Sequence, residues 1–352
     1  MTAEGGIVKR RKLGKAAAWL GVILFLAWLP SFLPFSVEWN IGSWLDPIWL
    51  RLFGHSSGIE TYRIDIGLHH ATLAALFVIM AMGLNLSIGF AGLLDLGFIA
   101  FVAIGAYIMA IELTRVPLNS DSVRVFSAWW AVIPLCIFGA VLVRVALGAT
   151  CLRLRGDYLA IVTLGFGEIT RVALKNDLFG LTGGPDGIFL SPRVMPEFFS
   201  DPEPLYYLAA ALALLSCFTL YRWKNSRAGR AWEAVREDEV AAAACGINVF
   251  RAKIWAYGLG GVFAGLAGAL YALHNTTAHP TDYDFIESVK VVVMVVLGGM
   301  GSIAGVAFGS VVFILLLEVL RGLAHYRMLI FGATLVALMV FRPQGLAGRA
   351  GK

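Results

Sequence analysis

Long apolar runs recur along this chain, and their length constrains the fold more than any motif does. Runs at 16–35, 66–88, 95–112, 129–147, 158–174, 205–221, 254–273 and 303–320 come close to the ~20 residues a helix needs to cross a bilayer. Two more, at 289–297 and 328–341, are shorter. Inside hydrocarbon every backbone N–H and C=O must find a partner within the protein, so runs of this kind read as helices. Composition agrees: 59% of the 352 residues are hydrophobic and 14% charged, against about 25% charged in a soluble domain. The fold class that follows is an all-α, polytopic helical membrane protein of about ten membrane segments, some of them short or broken. The joining stretches are too short for a separate soluble domain, so residues 1–352 read as one membrane domain.

Charge sets the expected orientation. Lys9, Arg10, Arg11, Lys12 and Lys15 precede the first run, which ends at Pro30 and Pro34 without a small-x-small cleavage site and therefore reads as an uncleaved span. The basic residues before the first span, around Arg144 to Arg155, in 222–253 and at the tail make up most of the 28 Lys and Arg. The positive-inside rule then puts both termini and the 222–253 stretch in the cytoplasm. The net charge of +5 lies beside apolar spans, so it is expected to set topology and to meet anionic membrane lipid, not nucleic acid. The run at 289–297 is too short to cross as a straight helix and predicts a broken or re-entrant element. Glycine-rich stretches lie at both breaks, GFAGLLDLG after the second run and GGMGS after the eighth.

The 222–253 stretch is the place where a membrane-embedded chain can meet something soluble. It predicts a helix over 226–245, with Ser226 as N-cap, Gly246 at a left-handed C-terminal cap and Asn248 opening the next helix. Ala231, Ala234, Val235, Ala241, Ala242 and Cys245 fall near one face, while Glu233, Arg236, Glu237 and Glu239 spread over the rest. Such a face suits either a groove on a protein or the bilayer surface.

Few polar residues sit within the apolar runs. Glu168 lies at mid-depth of the fifth, with Arg171 three residues on and on the same face; a structural ion pair and a pathway or gate role are both open. Asp95 caps the third run or gates the hinge that Asn85 and Gly92 flank. Gly298 and Gly299 break the eighth run, and the small-xxx-small spacing of Gly301, Gly305 and Gly309 predicts close helix packing. No phosphate-binding loop and no HExxH pair occur, the Gly299-x-Gly301 match lacks its strand, and the four cysteines show no metal spacing and read as free thiols. The expectation is a chain that is not an enzyme, with no cofactor or metal of its own.

Five separated blocks carry a resemblance: LRLRGDYLAIVTLGFGEITR (152–171), LTGGPDGI (181–188), AWEAVREDEVAAAACGIN (231–248), VVLGGMGSIAG (295–305) and FRPQGL (341–346). In this order they resemble the LivM-type permeases of bacterial branched-chain amino acid ABC transporters, and the likeness runs from about Leu84 to Leu346. The resemblance implies a multi-pass protein of the bacterial inner membrane that passes leucine, isoleucine or valine. Its partners would be a sister permease, two cytoplasmic ATPase subunits that carry ATP and Mg, and an extracytoplasmic amino-acid-binding protein. It makes 226–246 a coupling helix, with Ala231, Glu233, Ala234, Val235, Glu237, Asp238 and Gly246 as ATPase contacts. Asn85, Gly92, Asp95, Glu168, Arg171, Gly298 and Gly299 become candidates for the translocation path or gate. A urea or short-chain amide permease of the same superfamily is the alternative; a stand-alone channel or ion-driven carrier stands further off.

Overall fold

The computed structural model describes residues 35–39, 62–115, 122–152, 157–190 and 202–319, together with Gly332. The expected first span apart from its last residue, and the expected tenth span apart from Gly332, lie outside the described residues, as does FRPQGL. Helices dominate: α1 (Leu68–Asn85), α2 (Phe98–Arg115), α3 (Ser122–Cys151), α4 (Asp157–Lys175), α5 (Pro202–Lys224), α6 (Arg227–Glu237), α7 (Glu239–Ala244), α8 (Val249–Asn275), α9 (Phe285–Gly298) and α10 (Ile303–Val319). Among the described residues, four elements are long and apolar enough to cross a membrane, Leu68–Phe90, Ala131–Cys151, Pro202–Lys224 and Val249–Asn275; two shorter apolar helices are Phe98–Thr114 and Ile303–Glu318. This is a helical membrane protein.

The bundle is organised around α1 and α8. Their apolar stretches are 89% and 78% buried, against 28% for that of α3. Small residues let α8 approach its neighbours: a Cβ on Gly268 would stand 2.0 Å from the carbonyl oxygen of Val102 in α2, and one on Gly265 2.6 Å from that of Cys136 in α3. Without a hydrophobic driving force between helices in lipid, such close backbone contact is what holds them together.

Two short strand pairs accompany the helices without changing the helical class. Antiparallel strands β1 (Phe35–Trp39) and β2 (Tyr62–Ile66) pair from Phe35↔Ile66 to Trp39↔Tyr62. The two-residue strands β3 (Ile188–Phe189) and β4 (Thr277–Ala278) tie the loop after α4 to the end of α8. FSVEW and YRIDI alternate apolar and polar residues, which is the strand period.

The expected helix over 226–245 is corrected by the structure, which has two helices there and not one. Asp238, in extended backbone conformation, ends α6 and caps α7, its Oδ1 accepting from the N–H of Val240 at 2.7 Å and of Ala241 at 3.0 Å. The outer caps lie where the sequence puts them: Ser226 Oγ accepts from Gly229 N–H at 3.3 Å, Gly246 has φ +82°, and Asn248 Oδ1 accepts from Arg251 N–H at 2.9 Å. The short eighth run extends to the 14 residues of α9, opened by Asp284 capping Glu287 N–H at 2.9 Å. At 1.5 Å per residue that is about 21 Å, less than the ~30 Å hydrocarbon core.

Candidate functional site

Two breaks in the bundle meet each other. The first follows α1, whose last turn widens into a π-helical turn, Leu86–Phe90, before Gly92 takes φ +70°. The second is the turn between α9 and α10, where Gly299 has φ +100° and Gly301 φ +81°. Asn85 joins them, its Oδ1 accepting the Gly301 N–H at 2.9 Å. Gly89 must be glycine here, since a Cβ would lie 2.0 Å from Asn85 Oδ1 and 2.5 Å from Gly301 N. α9 and α10 meet just as closely: a Cβ on Gly298 would stand 2.4 Å from Val306 Cα and 2.5 Å from the carbonyl oxygen of Gly305, and one on Gly309 2.8 Å from Gly298 Cα.

Asp95 anchors the connection from the first break to α2. Its Oδ1 accepts Gly97 N–H at 3.1 Å, just before α2 begins, and its Oδ2 accepts Arg144 Nη2–H at 2.7 Å. Both side chains are fully buried. Arg144 Nη2 also donates to Ser87 Oγ at 2.8 Å. The guanidinium carbon lies 4.3 Å from the Tyr257 ring centre and 4.9 Å from those of Phe98 and Phe101. Among the described residues Nε and Nη1 find no hydrogen-bond partner, and ring faces take the place of acceptors. Arg144 therefore does not belong with the basic residues that set topology, since its charge is spent inside the bundle. α4 is held to the same loop by Thr163, whose Oγ1 accepts Leu96 N–H at 3.1 Å.

The segment between α5 and α8 reaches this node. Arg236 of α6 donates from Nη1 to the Gly89 carbonyl, and a Cβ on Gly92 would meet its Cγ at 3.1 Å. Lys224, at the end of α5, donates to the Gly301 carbonyl at 2.7 Å and lies 5.2 Å from the Phe90 ring centre. α6 sits on the bundle through buried Trp232 and Val235, with Trp232 Nε1 donating to the Ala252 carbonyl at 3.0 Å. Lys253 pairs with Glu239 at 2.6 Å.

The apolar face read on 226–245 is thus divided. Val235 and Ala242 are buried against the chain's own bundle and Ala231 and Ala234 are half-buried, whereas Ala241 and Cys245 are exposed. Val235 is spent on holding α6 in place and is not open to a partner. Glu233, Glu237, Asp238 and Gly246 are exposed, and beside them stands Val240 at 74% exposure, which the sequence reading left out.

Of the path candidates, Asn85, Gly92, Asp95, Gly298 and Gly299 come together around the two breaks, with Gly301, Gly305 and Gly309 behind them. Glu168 and Arg171 do not. They pair along α4, with Arg171 Nε and Nη2 donating to Glu168 Oε2 at 3.0 and 2.7 Å, and are 38% and 27% exposed. On the same helix Tyr158, Ile161, Ile169 and Val172 are exposed, which leaves an open face. Among the described residues no group of three or more His, Cys, Asp or Glu is placed to hold a metal ion. The sequence reading missed Ser87, Gly89, Arg144, Thr163, Lys224 and Arg236. Arg144 carried a signal, being an arginine within an apolar run, where a charge demands a partner.

No solved structure matches the chain. The chain is 38% identical over 301 residues to the high-affinity branched-chain amino acid transport system permease protein LivM of Escherichia coli, covering 78% of this chain and 68% of that protein. It is 29% identical over 153 residues to the permease protein LivH of Salmonella typhimurium, covering 42% and 47%. It is 30% identical over 191 residues to the fructose import permease protein FrcC of Rhizobium meliloti, covering 49% and 52%. The family described as branched-chain amino acid transport system, permease component, matches residues 68–339, and the chain belongs to that family.

Proposed function

We propose that this chain is the membrane-spanning permease subunit of an ABC importer for branched-chain amino acids. An extracytoplasmic binding protein delivers the amino acid, and two cytoplasmic ATPase subunits, which carry ATP and Mg, supply the energy. The 38% identity to the LivM permease over most of both chains carries the substrate class, because nothing in the described geometry by itself distinguishes leucine from another small solute. The likeness to LivH favours a sister permease of related sequence as the partner within the membrane. In this reading the chain is a single domain of about ten membrane segments in the inner membrane, with both termini and the 222–253 stretch cytoplasmic.

The exposed ridge of Glu233, Glu237, Asp238, Val240 and Gly246 is the ATPase contact, and the buried side of α6 holds that ridge to the bundle. The open face of α4 turns to the sister permease and the path between the two chains. A half-exposed ion pair in mid-helix is costly against lipid and suits a face covered by protein or lined by water.

Reconstitution tests the assignment. The chain with sister permease, ATPases and binding protein should take up leucine against its gradient when ATP is supplied, with isoleucine and valine competing and urea and fructose not. The chain alone should show neither ATP hydrolysis nor uphill uptake; uptake by the isolated chain under an ion gradient would sink the assignment. Glu237→Lys and Val240→Asp should both lose ATPase copurification at normal membrane abundance. Reporter fusions after Lys15, within 176–203 and after Leu346 should report in, out and in.

A further inference from the structure

We infer that Arg236 and Lys224 are positioning residues through which the 227–244 segment sets the geometry of the two glycine breaks. The inference rests on the coupling role proposed above for that segment and goes beyond it by naming the link. A helix that ends leaves its last carbonyls without intrahelical partners, and the helix dipole makes that end electronegative. Gly89 O is such a carbonyl in the last turn of the π-helical stretch, and it receives the Arg236 guanidinium. Gly301 O, in the turn between α9 and α10, receives the Lys224 ammonium at 2.7 Å. The two breaks are themselves joined by the Asn85 to Gly301 bond at 2.9 Å. Two cations, Arg236 in α6 and Lys224 at the end of the α5 helix that leads into it, thus hold both ends of one hinge.

Arg236 is also seated sterically. Its stem packs on Gly92, where any side chain would press on its Cγ at 3.1 Å, and a Cβ on Gly301 would meet its Nη1 at 3.2 Å. α6 is rigidly mounted, because Trp232 Nε1 bonds the Ala252 carbonyl of α8 and Ser226 fixes the turn from α5. Displacing α6 together with the end of α5 that it is capped onto by about an ångström therefore stretches both charge-assisted bonds. The carbonyls at the breaks are then released together. Backbone freed at glycines of positive φ can change conformation at small steric cost. The clasp thus connects a surface that docks a partner with broken helices in the bundle interior, and it does so without touching the transported molecule.

The test uses the assembled importer in vesicles. Met300 lies between the two positive-φ glycines and is 44% exposed. Met300→Cys can report on the turn once Cys245, the exposed native cysteine, is changed to serine. With Arg236 and Lys224 intact, the rate of maleimide labelling should change about fivefold or more between nucleotide-free and vanadate-trapped states. In the double variant Arg236→Gln, Lys224→Gln this difference should vanish. Amino acid moved per ATP hydrolysed should fall by about fivefold or more, while the ATPase subunits still copurify. Arg236→Lys, which keeps a cation able to reach a carbonyl, should retain most of the response. Arg236→Gln alone keeps the test available if the double variant does not accumulate, and it should lower the ratio about twofold or more. A normal ratio with a normal labelling response in these variants overturns the clasp. Loss of copurification also overturns it, since Arg236 would then belong to the docking surface. If Glu237→Lys and Val240→Asp leave copurification and transport intact, the coupling role itself fails, a separate result.

Discussion

Two carboxylate–arginine pairs of identical chemistry occupy neighbouring parts of this bundle under opposite conditions. Asp95 and Arg144 lie 49 residues apart in the chain, are fully buried, and add Ser87 Oγ, Gly97 N–H and three aromatic rings to their bond. Glu168 and Arg171 are three residues apart on one helix, about a third exposed, and among the described residues bond only each other. The first pair locks the loop between α1 and α2 against α3. The second spans no helix contact and rides on an open face. Burial turns the same ion pair from a surface ornament into a structural requirement, because an unpaired charge in the interior has no water to fall back on.

The largest effect should follow from removing one member of the buried pair. Arg144→Met leaves Asp95 charged and enclosed and should destabilise the chain by about 3–5 kcal/mol, seen as loss of detergent-stable protein on heating. Adding Asp95→Leu to Arg144→Met should recover much of that loss, because two apolar side chains leave no charge uncompensated. If the double variant is no better than the single, the loss came from the aromatic cage and not from the stranded carboxylate.

A smaller effect should come from Gly89→Ala, which changes no charge. The new methyl would lie 2.0 Å from Asn85 Oδ1, so Asn85 and Gly301 must part. A destabilisation of about 1–3 kcal/mol is expected, the range for overpacking, read from the same thermal unfolding. A cost equal to that of Arg144→Met would mean that close backbone approach, not the ion pair, dominates the node.

The smallest stability effect belongs to Glu168→Gln. An exposed pair at this spacing contributes up to about 1 kcal/mol, so the melting curve should barely move. Uptake by the assembled importer should nonetheless fall severalfold if the α4 face borders the path. A variant that melts and transports normally would reduce the pair to an incidental feature of a helix surface.

The two pairs also show what could be read in advance. Arg171 was legible as the partner of Glu168 because i and i+3 share a face on any helix. Asp95 could be read only as a cap or a gate, since its partner lies on another element. It is in fact a helix-start contact through Gly97 and an interhelical pin through Arg144. The caps at Ser226 and Asn248 and the left-handed Gly246 were equally local and equally readable. Asp238 was missed as a break although aspartate favours caps over helix interiors, because the alanine-rich stretch beyond it looks helical from either side.

The membrane class, most of the helices and the two glycine-rich breaks are legible in the amino-acid sequence, for these depend on residue type and spacing within a single segment. Which side of α6 is spent on the bundle, which arginine answers Asp95, and which carbonyls receive Lys224 and Arg236 were decided only by the tertiary structure. Those outcomes depend on which helices become neighbours. In this chain that choice is made by small residues distributed over α1, α2, α8, α9 and α10, whose mutual fit no single segment contains.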